Sequence, residues 1–213
     1  MLKIKQFAFN FFEENTYLVW DDATGEAVAI DPGMLFDKER DAFDREVEHL
    51  GITLKLVLQT HLHLDHCFGS NHVAKSFGVP IAAHEADAVF GTTIADQCAR
   101  FGIKMAMEPV QITRPLSAGD HIALGECTLQ VLHVPGHSPG GLAFYCPQAG
   151  VVFSGDSLFR RSIGRTDLLG GSLDELLQSI QQQLFTLPES TIVYSGHGPS
   201  TTIGEELRLN PFL

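Results

Sequence analysis

Thr60-His61-Leu62-His63-Leu64-Asp65-His66 places four side chains able to bind a metal within six positions. In an extended segment, residues two apart face the same way, so His61 and His63 can approach one cation together. If the chain then turns into a helix, Asp65 and His66 project toward a neighbouring position. Neutral imidazole suits zinc or iron, and a carboxylate adds charge. The bland reading is a solvated polar loop. A strand-like run before the cluster and Cys67-Phe68-Gly69 after it favour the metal reading. Three more candidates follow predicted strands: His137 in Val134-Pro135-Gly136-His137-Ser138-Pro139-Gly140, Asp156 in Phe153-Ser154-Gly155-Asp156, and His197 in Ser195-Gly196-His197-Gly198. Any one of these alone is more often a capped or solvated residue. Together with the cluster they make a site, in which a carboxylate such as Asp156 offsets charge that imidazoles cannot.

The elements that must position these residues come in two series. Leu2–Phe9, Tyr17–Trp20, Ala27–Ile30 and Leu54–Leu58 read as strands. Phe43, Val47 and Leu50 recur at helical spacing, with Gly51 as the stop signal. Val79–Ala83 reads as a strand, Glu85–Phe101 as one helix, and residues 102–120 as a loop-rich insertion. The second series is Ile122–Leu124, Thr128–Val134, Leu142–Tyr145 and Val151–Ser154. Ser172-Leu173-Asp174-Glu175 fits a capping box. It opens a helix with Leu173, Leu176, Leu177, Ile180 and Leu184 on one face, ended by Pro188. Thr191–Tyr194 is the last predicted strand. Strands followed by helices, twice over, suggest an α/β fold with two sheets between outer helices, in a single domain over residues 1–213.

The 213 residues carry a net charge of −12, with 44% hydrophobic and 19% charged residues. That is an ordinary globular balance. The acidity argues against nucleic acid or an anionic membrane as partner, because both are bound through Lys and Arg. Cys67, Cys98, Cys127 and Cys146 are widely spaced, which fits neither a disulfide framework nor a thiolate zinc site. No signal-peptide pattern and no run of apolar residues long enough to span a bilayer are visible, so a cytoplasmic location is expected.

The ordered set His61-x-His63-x-Asp65-His66, His137, Asp156, His197 resembles the metallo-β-lactamase superfamily, over nearly the whole chain. The resemblance implies an αββα four-layer sandwich with a two-metal site at one edge. It implies that His61, His63 and His137 bind one divalent cation, that Asp65, His66 and His197 bind another, and that Asp156 bridges them. Zinc is the expected metal, with iron and manganese also suited to such ligands. Asp31 in Ile30-Asp31-Pro32-Gly33 resembles the family's early strand-end Asp, which orients a ligand His. A simple Asp-Pro turn is an equal reading. His49, His72, His84, His121 and His133 match no ligand position.

Two cations lower the pKa of a bound water and hold hydroxide at neutral pH, ready to attack a carbonyl. Hydrolysis is therefore the leading reaction class, with Asp65 orienting the nucleophile or relaying a proton. Leu158 to Leu168, with Gly164-Arg165 at its centre, resembles the glyoxalase II and persulfide dioxygenase branch. That resemblance implies a small-molecule thioester substrate, a hydroxyacylglutathione such as S-lactoylglutathione, with Arg165 gripping the glutathione part. Alternatively Arg165 pairs with Asp167 or Asp174. The segment Ser195 to Glu206 is similar to short bacterial glyoxalase II-like proteins. Departures are the lack of the C-terminal helical domain of longer enzymes and Gly198-Pro199 where an aromatic residue stands in those enzymes. The competing enzyme reading is a mononuclear iron persulfide dioxygenase using His61, His137 and Asp156. A metal-buffering protein is the non-enzyme reading. The sequence assigns no role to Cys67, His133, Arg160 or Arg161.

Overall fold

The computed structural model describes all residues, Met1–Leu213. One sheet holds β1 (Leu2–Phe9), β2 (Glu14–Asp21), β3 (Glu26–Ile30), β4 (Thr53–Leu58), β5 (Ile81–Ala83) and β6 (Arg114–Pro115), in that order. The second holds β7 (His121–Leu124), β8 (Cys127–His133), β9 (Leu142–Cys146) and β10 (Val151–Gly155). After the small hairpin β11 (Leu158–Phe159) and β12 (Ser162–Ile163), it is completed by β13 (Ile192–Ser195) and β14 (Thr201–Thr202). Helices α1 (Asp37–Leu50), α2 (Leu64–Cys67), α3 (Ser70–Phe77), α4 (Ala88–Thr92) and α5 (Ile94–Arg100) belong to the first half. Helices α6 (Leu173–Ser179) and α7 (Ile203–Leu209) belong to the second.

Three apolar clusters separate four layers. Tyr17, Val19, Val28, Ile30, Leu56 and Leu58 of the first sheet meet Leu129, Val131, Phe144 and Phe153 of the second. The opposite face of the first sheet packs Leu18, Ala27, Ala29 and Val57 against Phe43, Val47, Val73, Phe90 and Ile94 of its helices. The second sheet's outer face packs Ala143, Val152 and Val193 against Leu176, Ile180 and Ile203. This is the αββα sandwich. Central strands such as β3 are buried on both faces, which is why their sequences read as continuous apolar runs rather than alternating ones.

The structure departs from the sequence reading in four places. Glu85–Phe101 is not one helix: a 3₁₀ turn over Glu85–Asp87 leads into α4, and Thr93 separates α4 from α5. The Thr92 and Thr93 hydroxyls donate to the Val89 carbonyl, and Thr92 also to that of Ala88, competing with the helical ladder. Residues 102–120 are irregular, yet they supply buried Val110 and the edge strand β6. Leu173, at the very start of α6, is exposed, and the buried stripe is Leu176, Ile180 and Leu184. The last two lie in a π-helical turn over Ile180–Leu184. Helices α3 and α7 were not expected. No helix is long and apolar enough to cross a membrane.

Candidate metal centre

β4 runs into the cluster in extended form, and His63, at φ −67° and ψ 151°, is the residue from which α2 starts. His61 and His63 therefore reach one ligand cluster and Asp65 and His66 the other, with the His61 and His66 rings in contact at 4.1 Å between centroids. The loop after β8 brings His137 to the first pair. His61 Nε2 lies 3.2 Å and His63 Nδ1 2.9 Å from His137 Nε2. All three residues are buried. Burial and then the neighbouring His66 and His63 rings hold His61 well below the usual imidazole range. Burial and then His137 push His63 down to about 3. Both are thus neutral, the form that ligates a cation.

The second cluster joins Asp65 and His66 of α2 to His197, which follows β13. His197 Nε2 is 3.3 Å from Asp65 Oδ2, and His66 Nε2 is 3.8 Å from the same oxygen. Asp156, which follows β10, lies between the clusters. Its Oδ2 is 3.6 Å from both His137 Nε2 and His197 Nε2, and its Oδ1 is 3.3 Å from His66 Nε2. Burial would raise the Asp156 pKa, but His66, His137 and His197 outweigh it and keep the carboxyl ionised. Burial would likewise lower His66, but Asp156 and Asp65 drive it well above the ordinary range. The same two carboxylates would favour a cation at His66 Nε2 in place of a proton. Gly196 is required here, because a Cβ would run into Asp156 Oδ1 and stand 2.6 Å from the His66 ring.

Hydrogen bonds on the far side of each ring fix four of the five tautomers. The Thr60 hydroxyl donates its single proton to Asp31 Oδ2 at 2.5 Å, so His61 Nδ1–H donates to Thr60 Oγ1 at 3.0 Å. His66 Nδ1–H donates to Asp31 Oδ2 at 3.1 Å. His137 Nδ1–H donates to the Arg165 carbonyl at 2.7 Å, and His197 Nδ1–H to the Phe12 carbonyl at 3.0 Å. Each ring thereby presents an Nε2 lone pair to the centre, the arrangement that makes a histidine an oriented ligand. Asp31 also accepts from the Thr60 backbone N–H at 2.7 Å, from a left-handed backbone at φ +48°. Asp31 does more than make a turn: its carboxylate accepts from both Thr60 and His66.

Sequence patterning gave no sign of several residues that build the site. Buried Asp87 accepts from Leu62 N–H (3.2 Å), Ser138 Oγ (2.9 Å) and Gly140 N–H (2.6 Å), so it ties the two His-bearing loops together. We expect Asp87→Ala to leave these donors unpaired, to cost about 3 kcal/mol and to lower Tm by about 6–12 °C. A calorimetric Tm within about 2 °C of the parent would contradict this role. Buried Glu14 sits behind His66, its Oε1 4.0 Å from His66 Nδ1 and without a hydrogen-bond partner. Burial pushes its carboxyl well above the usual range. Asn15 Nδ2 donates to the Ser195 and Gly198 carbonyls, which pins the His197 loop to β2.

The residues left open by the sequence find structural places. Cys67 is buried, its thiol against the Leu62 and Leu64 carbonyls. His133 stacks on His84 at 4.5 Å and contacts the Pro139 carbonyl. Arg161 is spent on Glu206, with Nη1 3.1 Å from Oε1 and its backbone N–H 2.8 Å from Oε2. Arg160 makes no side-chain hydrogen bond or ion pair. Arg165 Nε and Nη2 donate to the two Asp167 oxygens at 2.7 and 2.8 Å. A cavity of about 380 Å³ opens over the centre. It is lined by His63, Asp65, His137, Asp156 and His197, by Arg165, and by an apolar wall that includes Phe12, Phe90, Phe101 and Leu168.

The residues fit a pair of cations. His61, His63 and His137 bring one ligand atom each to within 4.8 Å of one another, and so do Asp65, His66 and His197. His66 Nε2 and Asp156 Oδ1 are buried, face each other, and have no hydrogen-bond partner. Such orphaned atoms are costly unless something binds them.

Residues 10–197 match the profile of the metallo-beta-lactamase superfamily. Hydroxyacylglutathione hydrolase GloC of Haemophilus influenzae is 36% identical over 203 residues, covering 95% of this chain and 93% of its own. The crystal structure of the BLEG-1 B3 metallo-beta-lactamase superposes with a TM-score of 0.91 at 37% identity, over 99% of each chain. TTHA1623 in a di-iron-bound form superposes with a TM-score of 0.86 at 36% identity, over 98% of this chain and 100% of that one. Fold, ordered His/Asp centre and profile agree: the chain is a metal-dependent hydrolase of the metallo-beta-lactamase superfamily.

Proposed function

We propose that the protein hydrolyses hydroxyacylglutathione thioesters of the S-lactoylglutathione type, releasing the hydroxy acid and the thiol. The observation that carries this reading is one cavity onto which both ligand clusters open, bounded by an apolar wall and by Arg165. The similarity to a hydroxyacylglutathione hydrolase over almost the whole chain supports it.

His61, His63 and His137 would hold one cation and Asp65, His66 and His197 the other, with Asp156 lying between the two sets of side chains. When bound, two divalent cations, zinc first among them, would supply a nucleophile from water at neutral pH and stabilise charge on the carbonyl oxygen. Asp65 lines the cavity with Oδ2 engaged by His197, so Oδ1 is the atom that takes a proton from the attacking water and passes it to the departing sulfur. Phe12, Phe90, Phe101 and Leu168 exclude bulk water from the thioester. Asp167 holds Arg165 by Nε and Nη2, which leaves Nη1 to meet a carboxylate of the substrate.

Chelation followed by metal return tests this reading. Release of free thiol from S-D-lactoylglutathione is expected to stop on dialysis against chelator and to return with zinc. Activity that survives complete metal removal would contradict it. The dioxygenase reading has one observation in its favour: His61, His137 and Asp156 do converge, within 3.2 and 3.6 Å across His137 Nε2. It leaves the second cluster without purpose, and it predicts oxygen uptake on glutathione persulfide.

A further inference from the structure

Three charged residues on the rim of the cavity lie outside the metal centre: Arg165, Asp96 and Arg100. Arg165 is paired with Asp167 through Nε and Nη2, and its free Nη1 is already assigned to a different carboxylate of the substrate. Asp96 and Arg100 stand four residues apart on α5, so they share one helix face. They do not pair with each other, and no carboxylate oxygen lies within 4.0 Å of the Arg100 guanidinium. The cavity thus offers one unpaired anion and one unpaired cation, side by side.

Their helix is fixed relative to the metal centre. Gln97, between them, donates from Nε2 to the Phe90 carbonyl at 2.8 Å. Its Oε1 accepts from the Leu64 N–H at 3.2 Å, at the first residue of the helix that carries Asp65 and His66. Ile94 and Cys98 anchor the other face of α5 in the core. Unpaired opposite charges, exposed to solvent on one face of an anchored helix at the rim of the cavity, are complementary to a ligand that itself carries both charges a short distance apart.

We propose that Asp96 and Arg100 form a subsite for the zwitterionic α-amino-acid end of the thiol carrier, Asp96 taking the ammonium and Arg100 the carboxylate. This rests on the thioester-hydrolase reading and deepens it: the γ-glutamyl end of glutathione has this chemistry, whereas a pantetheine arm does not. The competing account is local. Asp96 in the first turn of α5 and Arg100 in the last complement the helix dipole. That role affects helix stability and leaves substrate affinity unchanged.

The test uses the metal-loaded protein, S-D-lactoylglutathione, and the same thioester on N-acetylcysteamine, which has no zwitterion. Arg100→Ala is expected to raise KM for the glutathione thioester about tenfold with kcat within about twofold, and Asp96→Asn to raise it about fivefold. Neither change should alter kcat/KM for the N-acetylcysteamine thioester. N-acetylating the γ-glutamyl amine should weaken binding to the parent and cause no further loss in Asp96→Asn. Calorimetric binding of S-hexylglutathione gives a readout that does not depend on hydrolysis. Binding that is weakened by Arg100→Ala supports the subsite even if no thioester is cleaved, an outcome that sinks the hydrolase reading alone. Unchanged KM and unchanged S-hexylglutathione affinity in both variants, or no binding by the parent, overturns the subsite while leaving any observed hydrolysis standing.

Discussion

Asp156→Ala is expected to abolish thioester hydrolysis and to reduce bound cation from two per chain toward one. Asp156 is the group within 3.6 Å of ligand nitrogens in both clusters, through Oδ2 to His137 and His197, and its Oδ1 faces His66. Without it, the first cluster keeps its three histidines, which suffice for one cation. The second keeps Asp65 as its only carboxylate, beside two histidines. Charge stabilisation of several kcal/mol is removed, so kcat/KM falls by about a thousandfold or more. Folding should survive, because Asp156 Oδ1 has no hydrogen-bond partner to lose. Metal analysis and a thermal melt on the same preparation check both halves. Full metal content with parental activity would contradict the bridging position.

Asp31→Asn carries the second-largest effect, although it hardly changes shape. The carboxylate accepts from the Thr60 N–H, the Thr60 hydroxyl and His66 Nδ1–H. An amide has a single acceptor oxygen and an NH₂ that only donates. If the oxygen stays with the Thr60 N–H, the NH₂ faces His66 and the Thr60 hydroxyl. His66 Nδ1 must then accept, which moves its proton to Nε2, the atom aimed at Asp156 and Asp65. The Thr60 hydroxyl must turn as well, which frees the His61 tautomer. Changing such an outer partner weakens metal binding or activity about 10–100-fold. The expected result is a second cation lost at zinc concentrations that saturate the parent, with hydrolysis down in proportion. Zinc titration followed by activity measures both, and parental zinc affinity would contradict the orienting role.

The sequence made the ligand-bearing segments readable because they combine residue type with place. Extended spacing puts His61 and His63 on one side, and the apolar run of β10 delivers Asp156 from its end. The supports behind the ligands were much less visible. Asp87 binds loops 25 and 51 residues away from its own position, and Ala86 and Ala88 around it give no cue. Phe12 and Arg165 orient His197 and His137 through backbone carbonyls, which no side-chain pattern can reveal. Arg165 shows a mixed case: the pairing with Asp167 that the sequence allowed is present, and so is its place on the cavity rim. Helix α7 was legible after all. Thr202-Ile203-Gly204-Glu205 has the cap spacing, and Thr202 Oγ1 accepts from the Glu205 N–H at 3.1 Å. The break at Thr93 was harder, since its cause is two hydroxyls folding back on carbonyls of the preceding turn.

The central claim is that two cations held by this centre drive hydrolysis of a thioester. Its most direct test is thiol release from S-D-lactoylglutathione under strict exclusion of oxygen, on protein whose metal content per chain has been measured. The account predicts two cations per chain and the same rate with and without oxygen. No thiol release at any metal loading, or turnover confined to a one-iron protein in the presence of oxygen, would contradict it.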